Sequence, residues 1–346
     1  MKVLITGIAG FIGYFVSKKL IEKDFYIVGI DNINDYYSPE LKYLRLEKLG
    51  ISKENINYGY KTKSNKYQNL DFIKINLEDR SGIEKIFKEE SFDYVIHLAA
   101  QAGVRYSLKY PFKYIDSNIN GFMTILEGVR NNNVKHFIFA SSSSVYGANK
   151  KTPFSENDRV DNPVSLYAAT KKSNELMAYT YSHLFGIPST GLRFFTVYGP
   201  LGRPDMAYFK FTNAIFNDRE IEVYNFGKMK RDFTYIDDIV EGVFRLIQKV
   251  PENDNITTAP FKVYNIGNNH PVELLYFIEI LEREIGKTAK KKFLPIQAGD
   301  VVETYADISE LEKAVGFRPT TSIEEGLKRF VDWYKGEYMS LKAGLC

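Results

Sequence analysis

The chain has 346 residues, 44% of them hydrophobic and 26% charged, with a formal net charge of +3. That is enough apolar material for a sizeable core, while the charge is too near balance to call for a nucleic-acid partner. The single cysteine, Cys346, excludes an intramolecular disulfide or a cysteine metal cluster and fits a reducing, cytoplasmic setting. Residues 1–30 lack the layout of a signal peptide, and no window of about 18 apolar residues exists to span a membrane. His97, His136, His183 and His270 are scattered without metal-ligand spacing, so no metal is expected.

Lys2-Val3-Leu4-Ile5-Thr6-Gly7 is a short apolar run with β-branched residues and reads as a buried strand. It enters Gly7-Ile8-Ala9-Gly10-Phe11-Ile12-Gly13, after which the pattern is helical through Lys23. Strand, glycine turn and helix start together form a phosphate cradle, because free amides and the helix dipole face the anion. A second strand, Tyr26–Ile30, ends in Asp31. An acid about 20 residues beyond the glycines accepts from ribose hydroxyls and repels a 2′-phosphate, which favours NAD over NADP. Residues 34–69 are polar and tyrosine-rich and read as an exposed excursion with one helix over Leu41–Leu49.

Further strands are predicted at Phe72–Asn76, with Asn76-Leu77 placed beside the adenine, at Asp93–Ala100 and at His136–Ala140. A helix is expected over Phe112–Arg130, and the His136 strand runs into Ser141-Ser142-Ser143-Ser144. Alternating strands and helices imply a doubly wound parallel α/β sheet of Rossmann type. Ligands in such sheets lie beyond the carboxyl ends of the strands. Gly7, Asp31, Asn76, Ala99 and Ser142 all fall at such ends and should converge on one crevice.

Tyr167 to Phe185 holds no glycine or proline and carries apolar residues at helical spacing. Tyr167 and Lys171 stand four apart, on one face near its start. An ammonium within ~4 Å of a phenol is worth ~4 kcal/mol at an effective dielectric of ~20, enough to draw a pKa of about 10 towards neutrality. A phenol so poised is a base for an alcohol proton. The pair by itself also arises by chance on amphipathic helices; the glycine turn upstream gives it meaning.

Beyond a sixth strand at Thr190–Phe195 the βα rhythm loosens, as in a smaller lobe. Domain boundaries are expected near 1–190 and 191–335, interleaved, with 336–346 as a tail. The loop from Thr196 to Ala207 carries Arg203, whose planar fork suits a carboxylate; a phosphate contact or a surface position are its alternatives. Glu222–Asn225 reads as a strand and turn, and helices are expected over Ile236–Lys249, Val272–Ile285 and Ser322–Lys335. Pro251–Pro260 reads as a polar loop and Lys290-Lys291-Lys292 as a solvated charge run.

The glycine-rich opening, the serine run and Tyr167-x-x-x-Lys171 resemble the extended short-chain dehydrogenase/reductase family over about residues 1–335. Asp31-Asn32, Ser141-Ser142-Ser143-Ser144-Val145-Tyr146-Gly147, Arg193-Phe194-Phe195-Thr196-Val197-Tyr198-Gly199-Pro200, Gly202-Arg203-Pro204-Asp205-Met206-Ala207, Arg231-Asp232-Phe233-Thr234-Tyr235-Ile236-Asp237-Asp238 and Gly299–Asp307 narrow it. Together they are similar to the UDP-sugar 4-epimerases, most of all to those acting on UDP-glucuronate. The resemblance implies an isomerase that holds NAD, a UDP-sugar substrate and a homodimer formed through the 112–130 and 167–185 helices.

By position, the resemblance makes Tyr167 the base, Lys171 its activator and Ser142 the catalytic hydroxyl. It gives NAD to Gly7, Gly10, Phe11, Ile12, Gly13, Asp31, Asn32, Asn76, Leu77, Ala99, Ala100, Gln101, Asn118, Tyr167, Lys171 and Phe194. The sugar nucleotide falls to Ser142, Ser143, Ser144, Thr196, Arg203, Met206, Ala207, Tyr224, Arg231, Gln297 and Asp300, with Arg105 as a second cation. Related dehydratases carry an acidic pair, and decarboxylases a Glu, in the turn where this chain has Ser143 and Ser144; both reactions are thereby disfavoured. The competing readings are a 4-epimerase of UDP-glucose or of the N-acetyl sugars, and a non-catalytic NAD-binding regulator.

Overall fold

A computed structural model describes residues 1–253, 259–297 and 300–343. The strands, in chain order, are β1 (Lys2–Thr6), β2 (Tyr26–Asp31), β3 (Lys61–Lys63), β4 (Leu70–Lys74), β5 (Tyr94–His97), β6 (His136–Ser142) and β7 (Ser189–Phe194). They continue as β8 (Thr196–Tyr198), β9 (Glu220–Val223), β10 (Lys230–Tyr235), β11 (Phe261–Ile266), β12 (Pro271–Glu273) and β13 (Lys290–Phe293). Eight form the main sheet in the order β11-β7-β6-β5-β1-β2-β4-β3. Every neighbour pair in it is parallel except β3 with β4. Its central strands are buried on both faces, as their near-continuous Val, Ile, Leu and Phe content requires. The chain order jumps outward from β1 in both directions, so the sheet reverses beside β1 and opens a crevice at the carboxyl ends of β1 and β5.

The smaller part of the fold is a three-stranded sheet, β12-β10-β8, and a two-stranded one, β13-β9. It packs on the Ala207–Phe216, Leu274–Ile285 and Ile323–Trp333 helices. Lys290–Lys292 is a solvated charge run, exposed at Lys290 and Lys292, and it also pairs in parallel with Glu220–Glu222. Residues predicted as a tail continue as helix through Tyr334–Tyr338 and Met339–Ala343, with Tyr338 edge-on to Phe209 at 4.8 Å. Phe261–Ile266, unpredicted, returns to the main sheet beside β7. The centre of the predicted Pro251–Pro260 loop, residues 254–258, lies outside the described residues.

The helix expected over 112–130 is broken into Pro111–Tyr114, a π-helical turn Ile115–Asn120 and Gly121–Arg130. The widened turn rotates Asn118 into the interior. The Leu166–Phe185 helix is capped at its start by Ser165, whose hydroxyl accepts from the Ala168 amide at 3.1 Å, and ends at Gly186 in the left-handed region.

Two buried histidines brace the strand ends. His136 Nδ1 faces the Ile247 carbonyl at 3.0 Å and so carries the proton, while Nε2 accepts from Thr190 Oγ1 at 2.8 Å. His97 Nδ1 lies 2.9 Å from Thr6 Oγ1. Burial brings their pKa values down to about 4 and about 3. Unfolding exposes each to protonation near 6.5, so the unfolded state binds more protons and stability falls as pH drops below that value. The expected loss between pH 7 and 5 is about 2 kcal/mol per histidine. Asp232, whose carboxyl burial pushes up to about 6, has the opposite sign and offsets about 1 kcal/mol. A thermal midpoint lower at pH 5 than at pH 7, with His136→Gln flattening the dependence, is the result to look for.

Candidate active site

The strand ends open onto one cavity of about 1000 Å³. Gly7 turns at φ +76°, and a Cβ there would lie 2.8 Å from the Ala99 amide nitrogen. A Cβ on Gly13 would lie 2.1 Å from the Gly7 carbonyl oxygen. The helix behind this turn starts at Phe11 with no side-chain cap and no acidic residue in its first turn, leaving its first amides for an anion. Asp31 accepts from the Ile33 amide with Oδ1 at 2.8 Å and lines the cavity. Gly10, Phe11, Ile12, Asn32, Leu77, Ala99, Ala100, Gln101 and Phe194 share the wall, so the residues present fit a dinucleotide.

Two residues expected on this side do not line the cavity. Asn76 is exposed because the chain still alternates beyond β4: Ile75 and Leu77 turn inward and Asn76 outward. Asn118 is buried behind the wall. It accepts from Gln101 N at 2.7 Å and donates to Gln101 O at 3.0 Å and Thr170 Oγ1 at 3.1 Å, which fixes the Gln101 backbone. On the opposite side, Ser142, Ser143, Ser144, Thr196, Arg203, Met206, Ala207, Tyr224, Arg231, Asp300 and Arg105 all line the same cavity. Gln297 does not; its carbonyl accepts from the Asp300 amide at 3.2 Å.

Tyr167 and Lys171 both face the cavity near the carboxyl end of β6. Burial raises the Tyr167 pKa, while the Ser142 hydroxyl and the Arg203 charge pull it back and Asp205 pushes it up. Lys171 donates to Ala140 O at 2.8 Å, and burial lowers its pKa to about 8. Desolvation is the largest influence on the phenol, and Arg203 is a cation that lowers it. Ser142 Oγ accepts from the Ser144 amide at 3.1 Å and lies 3.1 Å from Ser144 Oγ, which fixes the turn beside the phenol.

Beneath that turn lies a buried network. Ser141 Oγ donates to Glu175 Oε1 at 2.6 Å, and Arg193 grips Glu175 with Nε at 2.8 Å and Nη2 at 2.9 Å. Arg193 Nη1 reaches Tyr146 OH at 3.1 Å, which donates to Asn265 Oδ1 at 2.6 Å. The network ties β6, β7, β11 and the Tyr167 helix together.

At the far end, Arg105 pairs with Asp300 at 2.9 Å and stacks over Tyr224 at 5.0 Å. Arg231 is steadied by the Val301 and Val302 carbonyls, to which Nη2 and Nη1 donate at 2.6 and 3.0 Å. Arg203 is held by Asp205, with Nε–Oδ1 at 3.0 Å and Nη2–Oδ2 at 2.5 Å. Sequence reasoning missed Asp205, Tyr36 and Arg45. Arg45 is fully buried and bonds only neutral oxygens, among them Ala9 O in the glycine turn at 2.9 Å and Leu201 O just before Arg203 at 2.6 Å. Asp205 stands inside a motif already singled out; Tyr36 and Arg45 give no local signal.

A glycine-turn nucleotide crevice facing a Tyr–Lys pair defines an extended short-chain dehydrogenase, and the chain belongs to the family described as GDP-mannose 4,6 dehydratase, which matches residues 4–330. Within it, the chain is 54% identical to Protein CapI of Staphylococcus aureus over 98% of this chain and 99% of that one. It is 46% identical to a probable UDP-glucuronate 4-epimerase of Rhizobium meliloti, with 98% of each chain covered. The crystal structure of the UDP-glucuronic acid 4-epimerase of Bacillus cereus, in complex with UDP-glucuronic acid and NAD, superposes with a TM-score of 0.84 at 33% identity, covering 97% of this chain and 99% of that one.

Proposed function

We propose that this chain interconverts UDP-glucuronate and UDP-galacturonate by NAD-dependent epimerisation at C4. The observation that carries the reading is the convergence, in one cavity, of the glycine cradle, the Tyr167–Ser142–Lys171 group and the Arg203 guanidinium. The similarity to 4-epimerases of UDP-glucuronate supports it. Bound NAD supplies a reversible hydride acceptor. Gly7, Gly10 and Gly13 bring backbone to its pyrophosphate, Asp31 takes the ribose hydroxyls, and Phe194 and Ala99 line its path.

Tyr167 accepts the 4-hydroxyl proton through Ser142 and returns it to O4 of the epimerised sugar, and Lys171 keeps a positive charge behind the phenol. Arg231 and Arg105 hold the diphosphate and Asp300 the uridine ribose. Thr196, Arg203 and the Ser143-Ser144 hydroxyls fix the C6 carboxylate, so that the 4-keto sugar, a β-keto acid, is not aligned to lose CO₂. The Ser143-Ser144 turn offers no acid to drive dehydration. The test is chromatography of sugar nucleotides after incubating the purified protein with UDP-glucuronate: UDP-galacturonate without CO₂ supports the proposal, and turnover of UDP-glucose in its place overturns it. The Arg203–Asp205 pair is the feature that favours that neutral-sugar alternative, since it leaves the site without net charge there.

Gly13→Ala is expected to deprive the purified protein of dinucleotide, read by mass spectrometry of the supernatant after heat denaturation. We also propose a homodimer through the Gly121–Arg130 and Leu166–Phe185 helices, where Leu176 and Leu184 are 56% and 62% exposed. Leu176→Glu with Leu184→Glu should halve the mass found by sedimentation equilibrium. Among the described residues no helix is long and apolar enough to cross a membrane; the cytoplasmic location we propose is tested by cell fractionation.

A further inference from the structure

We propose that Asp205 and Tyr36 are positioning residues that set the sugar specificity of the site: together they fix the Arg203 guanidinium so that its outer edge receives the carboxylate of an acidic sugar. This rests on the reading of Arg203 as the carboxylate contact. The geometry points to a two-carboxylate arrangement. Asp205 occupies the side edge of the guanidinium, through Nε at 3.0 Å and Nη2 at 2.5 Å. A guanidinium has five N–H donors in one plane, so Nη1 and the second N–H of Nη2 remain as an end-on fork. That free fork suits a second carboxylate bidentately.

Asp205 is itself held. Its Oδ2 accepts from Tyr36 OH at 2.9 Å. Tyr36 is locked edge-on against Tyr106 at 4.7 Å, and the Arg203 guanidinium lies 5.9 Å from the Tyr36 ring. A Cβ on Gly103 would come 2.3 Å from that hydroxyl, so a glycine there is what admits it. The Arg203 amide donates to Tyr208 OH at 3.1 Å, which anchors the backbone end. The guanidinium is thus restrained from its root, its side edge and its face.

The arrangement also answers a cost. An unpaired guanidinium here, with its side chain only 26% exposed, would be destabilising before any substrate arrived. Asp205 removes that penalty and leaves the free site neutral at this point, so discrimination between an acidic and a neutral sugar comes from a preset hydrogen-bonding fork and not from net charge. Tyr36 follows Asp31 by five positions, so the same loop that presents the ribose acid steadies the sugar contact.

The test is calorimetric titration of the full chain as purified with UDP, UDP-glucose and UDP-glucuronate. In Asp205→Asn the amide group turns a donor towards the guanidinium and the two-point grip is lost. Affinity for UDP-glucuronate should fall by about tenfold, while UDP and UDP-glucose stay within about twofold. Tyr36→Phe keeps the ring and should give the same pattern at about threefold. An unchanged or tighter grip on UDP-glucuronate in Asp205→Asn overturns the inference, as does an equal loss of all three ligands, which would mark a merely structural pair. If the unaltered protein binds UDP-glucose as well as UDP-glucuronate, the carboxylate reading fails first and takes the inference with it.

Discussion

Tyr167→Phe should cut turnover of UDP-glucuronate by about a thousandfold while leaving the affinity for the sugar nucleotide within a few-fold. The phenol combines contact with Ser142 and a position on the wall of the cavity that the glycine cradle also lines. Removing its oxygen leaves the ring edge-on to Tyr114 at 6.1 Å, so the helix start should keep its packing. Steady-state kinetics with a parallel titration separates the two effects; near-normal turnover would remove Tyr167 as the base.

The pH profile carries the same claim with a sign. Burial holds the phenol above its ordinary value and Arg203 lowers it. Arg203→Gln removes the lowering charge, so less phenolate forms at a given pH and the acid limb of kcat/KM moves to higher pH. Asp205→Asn removes a raising charge and moves the limb to lower pH. The paired, opposite shifts are what a binding defect alone would not produce.

Glu175→Ala is the second large effect, this time on stability. The Arg193–Glu175 pair is 4% and 3% exposed. Burial pushes the Glu175 carboxyl up, yet Arg193 and Ser141 outweigh it and hold the group ionised, below the usual carboxylate range. Arg193 is held above its own ordinary value. Deleting one partner strands the other charge in the interior, a loss of about 3–5 kcal/mol. It also frees Ser141, the residue before Ser142. A much lower thermal midpoint is expected, and replacing both partners by Met should recover a large share of it. A single mutant as stable as the parent would show that the pair does not brace the strand ends.

Much of this was legible in the sequence because it is local. The glycine turn, Asp31 at the end of β2 and Tyr167-x-x-x-Lys171 are each fixed by spacing within one element, and all came to one cavity. Groups joined by long loops were not legible. Tyr36 meets Asp205 across 169 positions, and Arg45 reaches Leu201 across 156; neither contact leaves a period or a motif. Short strands were missed for a related reason. Thr196–Tyr198 and Lys290–Phe293 are three and four residues long, and their strand character comes from the partner chain segment, not from their own composition. Asn76 faces outward from the cavity wall because strand alternation sends neighbouring side chains to opposite faces, a step the motif alone does not show. The burial that raises the phenol was not legible either, because a sequence shows proximity of charges but not the water they lose.

The most direct measurement follows a deuterium placed at C4 of UDP-glucuronate, with no dinucleotide added and the reaction run in ordinary water. The account predicts UDP-galacturonate that keeps the label at C4, since the same hydrogen leaves and returns within one closed site. Product that has exchanged its C4 deuterium for solvent hydrogen would contradict it.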